Sequence, residues 1–230
     1  MRSNYSSTTA KRSEMDYLDI KNLAQTGEGT FLEFKRTVSS AHKIAREIAA
    51  FANTHGGTLL IGVDDDGSLV GVDGYQEEVF LLNEASNVLC NPQVDARLEV
   101  VQFGVRDLLV MKVPEAGEKP VYTKENNEET NVYIRKNSSS KRISYERLKL
   151  LEHKSSERSV SFTYGKAERK LFRYLNEYGA ISVTKFAHLV DENRSTAIDI
   201  LINLVNAKIL KLFTKDKIDY FAFSNKVTDN

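Results

Sequence analysis

The sequence predicts an α+β fold, a mixed sheet with flanking helices followed by a small C-terminal winged helix domain. Segments of helical period and short strand-like segments are interspersed over residues 15–153. A polar linker is predicted at residues 154–165. Over residues 166–225, three helix-like segments precede two strand-like segments, the order of a winged helix-turn-helix. The polar residues 1–14 predict a flexible tail.

The first domain follows from two periodicities. Leu32 and Phe34 alternate with Glu33 and Lys35, which is typical of a strand with one apolar face. The continuous apolar run at residues 58–63 predicts a strand covered on both faces. Helical spacing occurs at residues 15–24, 41–53, 76–90 and 144–153. Further strand-like segments occur at residues 69–72, 96–103, 107–113, 119–123 and 131–135.

The C-terminal domain is predicted to consist of three helices and a hairpin. Helices are predicted at residues 167–178, 182–189 and 194–207, and a hairpin at residues 209–213 and 218–223. If this domain reads DNA, its third helix is the reading helix. The polar residues expected to contact DNA are then Arg194, Ser195 and Thr196 at the start of that helix and Lys215 in the wing. Dimerisation or protein contact is the alternative role.

Composition excludes several protein classes. The formal net charge of the 230 residues is zero, so nucleic-acid affinity requires local patches of positive charge. Cys90 is the single cysteine, which excludes a disulfide framework and a cysteine-rich zinc site and favours a cytoplasmic setting. No apolar run has the length of a membrane span, so no membrane partner is expected.

Carboxylates at the ends of two apolar segments form a candidate metal site. Glu28 precedes the first strand in a glycine-bearing turn, Glu33 projects from that strand, and Asp65 follows the strand at residues 58–63. Such a trio could hold Mg²⁺ or Mn²⁺ and act on a phosphate. Lys35 could neutralise phosphate charge beside it. The three carboxylates and Lys35 are therefore the candidate catalytic residues of a nuclease.

The same residues have an ordinary structural interpretation. Asp64, Asp65, Asp66 and Gly67 are typical of a turn, and Glu33 and Lys35 could simply pair on a solvated face. Asn53 is expected to tie down a helix end, and His55 to lie at a polar surface. The glycines nearby lack the Gly-Lys-Ser/Thr ending of a phosphate-binding loop, so ATP binding is not predicted.

A basic stretch late in the first domain is the best candidate for binding phosphates. Cationic side chains supply charge there, and serine hydroxyls supply short donors. Its members are Arg135, Lys136, Ser138, Ser139, Lys141 and Arg142. A solvated loop is the alternative interpretation.

Three sets of residues in order resemble the Schlafen AlbA-type DNA-binding domain, also called the divergent AAA-4 domain. The first is Glu28, Thr30, Glu33, Phe34 and Lys35. The second is the stretch at residues 50–67, and the third is Tyr133, Arg135, Ser138 and Ser139. The resemblance spans about residues 25–150 and implies nucleic-acid binding.

The resemblance also implies a possible reaction. Animal Schlafen proteins of this kind cleave RNA through three carboxylates, which by motif position correspond to Glu28, Glu33 and Asp65 here. Those enzymes pair two such lobes and carry a zinc site. This chain has one lobe and no cysteine cluster, so a comparable groove requires a homodimer.

Three functional hypotheses follow. The first is a cytoplasmic nucleic-acid-binding protein, a DNA-binding transcriptional regulator with a Schlafen AlbA-type domain and a winged helix. The second is a nuclease dependent on a divalent metal. The third is a protein-interaction or dimerisation module.

Overall fold

The structure is a computed structural model that describes residues 10–125, 129–155 and 164–224, without the side chains of residues 153–155. It confirms the α+β class. The chain divides into two compact units, Met1–Ile143 and Ser144–Asn230. None of the helices in the described parts of the chain is long and apolar enough to cross a membrane.

The first unit contains helices on both sides of a sheet and a second, smaller sheet. Its helices are α1 (Tyr17–Ala24), α2 (Ala41–Asn53) and α3 (Gln76–Glu84), the last continued by a π-helical turn (Ala85–Leu89). Its strands are β1 (Lys11–Arg12), β2 (Leu32–Lys35), β3 (Gly57–Ile61), β4 (Cys90–Asn91), β5 (Arg97–Phe103), β6 (Arg106–Val113), β7 (Tyr122–Lys124), β8 (Thr130–Lys136) and β9 (Ser139–Arg142).

The larger sheet has the strand order β1-β5-β6-β3-β2 and mixes parallel and antiparallel pairs. The smaller sheet has the order β4-β7-β8-β9 and is antiparallel. The predicted strand at residues 69–72 is reduced to isolated bridges at Leu69 and Val72. The flexible tail predicted at residues 1–14 is wrong for its last part, because β1 pairs with β5 and the Ser13 hydroxyl donates a hydrogen bond to Glu99. The tail's residues 1–9 lie outside the described residues.

Strand β3 has apolar contacts on both faces, as its sequence predicted. Leu59 and Ile61 pack into a cluster with the apolar face of α2, and Leu60 packs on the opposite face with Ile20 of α1. All four side chains are fully buried. Helix α2 is therefore fixed against the larger sheet by hydrophobic burial, and its other side lies against β8 of the smaller sheet.

The end of α2 is tied to the smaller sheet. Asn53 donates from Nδ2 to the carbonyls of Val121 and Tyr133, and its Oδ1 accepts from the Val121 amide. The structural role predicted for Asn53 is confirmed. Position 57, after the turn, requires glycine because a Cβ there would lie 2.2 Å from Cδ1 of the buried Phe51 ring.

The second unit has a helical core and a small three-stranded sheet. Its elements are α4 (Tyr145–Ser155), α5 (Lys166–Tyr178), β10 (Ile181–Ser182), α6 (Val183–Val190), α7 (Arg194–Asn206), β11 (Leu210–Lys215) and β12 (Ile218–Phe223), with the sheet order β10-β12-β11. Helix α4 belongs here and not to the first domain, because Leu150 packs on the core of α5, α6 and α7. Of the predicted linker, residues 156–163 lie outside the described residues.

Candidate nucleic-acid interface

The basic stretch is a tight hairpin of β8 and β9 instead of a loop. Asn137 opens the turn with a φ of 57°, a conformation that asparagine tolerates better than most residues. Arg135 lies opposite Ser140, and Ile134 lies opposite Lys141. Since side chains alternate along a strand, Arg135 and Ser140 share the face toward α2, and Lys136 and Lys141 point to the other face. The hairpin thus divides the predicted residues into two sets.

Arg135 lies inside the fold, not on the surface that phosphate binding would require. Its side chain is 0% exposed and lies over the Phe51 ring, 4.6 Å from the centroid. Its Nη1 donates to Glu47 at 2.9 Å, and its Nη2 donates to Glu33 at 3.1 Å and to the Gly29 carbonyl at 2.7 Å. Two carboxylates of the same unit therefore take up its charge, and its guanidinium is not accessible to a phosphate.

Glu33 is held by cations of its own chain. It pairs with Lys35 two residues on in β2 and with Arg135 from β8, and only 9% of its side chain is exposed. The pairing of Glu33 with Lys35 is the second of the two roles that the sequence left open for the lysine. Both carboxylate oxygens of Glu33 thus already have cationic partners.

The other two carboxylates of the predicted metal site are not gathered around Glu33. Glu28 accepts a hydrogen bond from the Phe34 amide at 2.8 Å and so closes the turn before β2. Asp65 lies exposed in the turn after β3. Within the described residues, no group of three His, Cys, Asp or Glu side chains is placed to hold a metal ion. The arrangement that the nuclease hypothesis required is absent from this part of the chain.

The aspartate turn has the ordinary chemistry that the sequence offered as an alternative. Gly67 donates to the Asp64 carbonyl at 2.8 Å, and the Ser68 amide donates to Asp66 at 2.8 Å. The Ser68 amide holds the pKa of the Asp66 carboxyl below its ordinary value. Arg36 pairs with Asp64 at 2.7 Å. Hydrogen bonds within the turn and the ion pair with Arg36 account for two of its three aspartates.

A second cluster anchors the hairpin to α2. The Tyr133 hydroxyl donates to Glu125 at 3.0 Å, and Arg46 of α2 donates to the same carboxylate while lying 5.8 Å from the tyrosine ring centroid. Burial, followed by the bond to Glu125, raises the pKa of Tyr133 above its ordinary value, so the hydroxyl keeps its proton at neutral pH. With the Arg135 cluster, this contact fixes the position of β8.

The remaining cations of the hairpin are exposed and unpaired. Lys136, Lys141 and Arg142 are all exposed, and no ion pair joins them to a carboxylate anywhere in the described ranges. Ser138 is exposed at the turn, and the Ser139 hydroxyl lies 3.4 Å from the Lys136 carbonyl. The surface therefore combines fixed positive charge with short hydroxyl donors, a composition that suits phosphate groups.

In the second unit, the predicted contact residues lie at the start of α7 and in the β11–β12 hairpin. Arg194 is 56% exposed but pairs with the buried Glu146 and donates to Thr184 at 3.2 Å. Ser195 is exposed, Thr196 is half-buried, and Lys215 is exposed. Three of the four side chains are accessible, and the charge of Arg194 is shared with a carboxylate.

Comparison with family models matches residues 28–144, just over half of the chain, to the Schlafen AlbA_2 model. The chain belongs to the Schlafen AlbA_2 family. The N-terminal domain of a RecG-related protein from Nitrosomonas europaea, named as related to an ATP-dependent DNA helicase, is similar at 26% identity and a TM-score of 0.40. That match covers 56% of this chain and 94% of that one.

The DIP2311 protein from Corynebacterium diphtheriae is similar at 15% identity and a TM-score of 0.41. The match covers 85% of this chain and 34% of DIP2311. No match was found among curated proteins.

Some of the Schlafen AlbA_2 signature residues serve to anchor the hairpin. Tyr133 and Arg135 both bind carboxylates near α2, and the partners Glu47 and Ser140 were not predicted. Helical spacing could have placed Glu47 beside Ala50 and Phe51 on α2, but nothing in the sequence pairs it with a residue 88 positions away.

Proposed function

We propose that this protein binds nucleic acid through the exposed cations of the β8–β9 hairpin. The observation that carries the proposal is the separation of charge in that hairpin. Arg135 is neutralised on the inner face, whereas Lys136 and Lys141 on the outer face, and Arg142 opposite Tyr133 at the end of β9, remain exposed without carboxylate partners in the described residues. Unpaired lysine and arginine side chains bind phosphate and release its counterions.

Protection of a sheet edge is the competing explanation for these lysines. Lysine on an edge strand prevents pairing with other chains, and β9 is such a strand. That explanation applies most directly to Lys141 on β9, whereas Lys136 is paired with Ser139 in the ladder beyond the residues of β8 that β7 contacts. The outer face of the hairpin carries both lysines, so phosphate binding accounts for more of the pattern.

We further propose that the second unit is a DNA-binding winged helix-turn-helix and that the protein is a transcriptional regulator. Helices α6 and α7 are joined by a short turn at Asp191, and β11 and β12 follow as the wing. The reading residues would be Arg194, Ser195 and Thr196, with Lys215 contacting phosphate from the wing. The homodimer and the cytoplasmic setting predicted from the sequence stay predictions.

The salt dependence of binding tests the role of the hairpin. Lys136→Ala combined with Lys141→Ala should weaken binding and make the slope of log K against log salt shallower by about 1.4–1.8, as expected when two phosphates are no longer neutralised. The measurement is fluorescence anisotropy of a labelled oligonucleotide over a salt series. Residual binding by the variant is assigned to Arg142, which the variant keeps, and to the second unit.

A matched control keeps the change in net charge constant. Lys21 and Lys43 are exposed lysines on α1 and α2, outside the hairpin. Replacing both by alanine should leave the salt slope unchanged. If the two double variants weaken binding equally, overall charge accounts for the binding, and the hairpin is refuted as the contact surface.

A further inference from the structure

An exposed pair of aromatic rings lies in the first unit and has no role in its core. The Phe31 side chain is 58% exposed and the His55 side chain is 67% exposed. Their ring centroids are 6.5 Å apart, with an angle of 38° between the planes. The neighbours Leu32 and Phe34 enter the hydrophobic core, so burial explains these two and leaves Phe31 unexplained.

The hydrogen bonds of the fold place this ring pair beside the basic hairpin. Thr54 precedes His55, and its hydroxyl accepts a hydrogen bond from the Arg135 amide at 2.9 Å. Lys136 follows Arg135 in β8. His55 and Lys136 are thus each one residue away from the same hydrogen-bonded pair. The exposed rings and the unpaired cations therefore belong to neighbouring parts of one unit.

The charges next to the rings are balanced. The Glu115 carboxylate lies 3.4 Å from His55 Nδ1 and accepts from Lys119 Nζ at 2.5 Å. The Lys119 ammonium holds the pKa of Glu115 below its ordinary value, so this carboxylate is ionised and paired at neutral pH. Since Lys119 offsets the negative charge of Glu115, the positive charge of Lys136 is not cancelled on this side.

We propose that this surface binds single-stranded nucleic acid, with bases stacked on Phe31 and His55 and phosphates on Lys136 and Lys141. Every base has a π-face that an exposed aromatic ring can cover, but a duplex keeps those faces inside its own stack. The combination of accessible rings with nearby unpaired cations is the chemistry by which proteins hold unpaired strands. This inference rests on the proposed nucleic-acid binding and specifies the form of the ligand.

The experiment compares probes that separate base stacking from charge. Anisotropy titrations of the full chain use oligothymidylate of about 12 nucleotides, an abasic strand of equal length, and the matching duplex. Phe31→Ala should weaken binding of oligothymidylate by about 5- to 150-fold, the loss of stacking on one base. It should leave binding of the abasic strand and of the duplex unchanged. Phe31→Tyr should bind like the wild type, because it keeps the ring.

Phe80→Ala is the matched control, since Phe80 on α3 is 67% exposed and has no place in the proposed surface. The inference is overturned if Phe31→Ala binds oligothymidylate like the wild type, or loses the single strand and the duplex equally. If the wild type binds the duplex through Lys136 and Lys141 while Phe31→Ala has no effect, the proposed function stands without it. A wild type that binds none of the probes at low salt overturns both.

Discussion

Replacing Arg135 by alanine should destabilise the first unit strongly while leaving the nucleic-acid-binding surface in place. The side chain is 0% exposed and bridges Glu33 and Glu47, which are 9% and 20% exposed. Removing one partner of a buried ion pair costs about 3–5 kcal/mol, because the remaining charge is buried without compensation. Removing a phosphate-binding side chain from the surface would instead weaken binding and leave folding almost unchanged.

The structure favours the lower end of that range. Lys35 still pairs with Glu33 after the substitution, and Ser140 still donates to Glu47. We therefore expect a loss of about 3 kcal/mol in the free energy of unfolding of the first unit, equivalent to roughly 150-fold faster exchange of its best protected amides. Hydrogen exchange followed by mass spectrometry measures this for β3 and β6, with α7 of the second unit as an internal reference.

Two further variants make this prediction refutable. Lys136→Ala, one residue away on the outer face, should change the free energy of unfolding by less than about 0.5 kcal/mol. Arg135→Met combined with Glu47→Met should be less destabilised than Arg135→Met alone, because one of the two carboxylates that lose the arginine is then removed as well. If Arg135→Ala behaves like Lys136→Ala in hydrogen exchange and weakens binding to the same extent, the assignment of Arg135 to the interior is wrong.

Three other predictions concern the first unit. Burial raises the pKa of the Cys90 thiol to about 12, so iodoacetamide at pH 8 should alkylate Cys90 far more slowly in the folded than in the urea-unfolded protein; equal rates would contradict its burial. Gly57→Ala should cost about 1–3 kcal/mol in urea denaturation, because its Cβ would overlap the buried phenylalanine ring of α2. Gly117→Ala, which meets nothing within 4 Å, should be nearly neutral, and equal losses would refute the steric argument. The Lys112 ammonium, then the Ser13 hydroxyl, lower the pKa of Glu99. Stability from this pair is therefore complete above the ordinary glutamate pKa and is lost as pH falls through the lowered one. Lys112→Met should reduce the drop in urea midpoint between pH 7 and pH 3, and an unchanged drop would contradict the linkage.

Local signals in the sequence were sufficient for most of the helices. The bounds predicted for α2 at residues 41–53 are those of the structure, because apolar residues recur with helical period and Ser40 precedes them. Gly179 ends α5 with a φ of 82°, as expected of glycine at a helix end. These features depend on neighbours in the chain, so a single sequence contains them.

Strand β9 could not be predicted because its sequence has no alternation of apolar and polar residues. Ser139–Arg142 contains no apolar residue, and its inner face is satisfied by polar contacts such as Ser140 with Glu47 on α2. The stretch therefore resembles a solvated loop in sequence. Only the register with β8 shows that its cations divide between two faces.

The sequence identified charged residues of the candidate site but not the ion pairs that they form with each other. Arg135 was predicted to bind phosphate, yet it is buried against Glu33, 102 residues away, and the sequence pattern assigns both residues to solvent or ligand. A formal charge does not indicate whether a side chain is buried against an opposite charge. The pairing of Glu33 with Arg135 accordingly changes both the expected metal site and the expected phosphate site.

The most direct test of the central claim is a map of the amides that respond to nucleic acid. Isotope-labelled full-length protein would be titrated with an oligonucleotide at low salt, and backbone chemical shifts would be followed by NMR. The account predicts the largest changes at residues 136–142, with Arg135 side-chain signals nearly constant. Changes confined to other surfaces of the first unit, or none in the hairpin at saturating oligonucleotide, would contradict it.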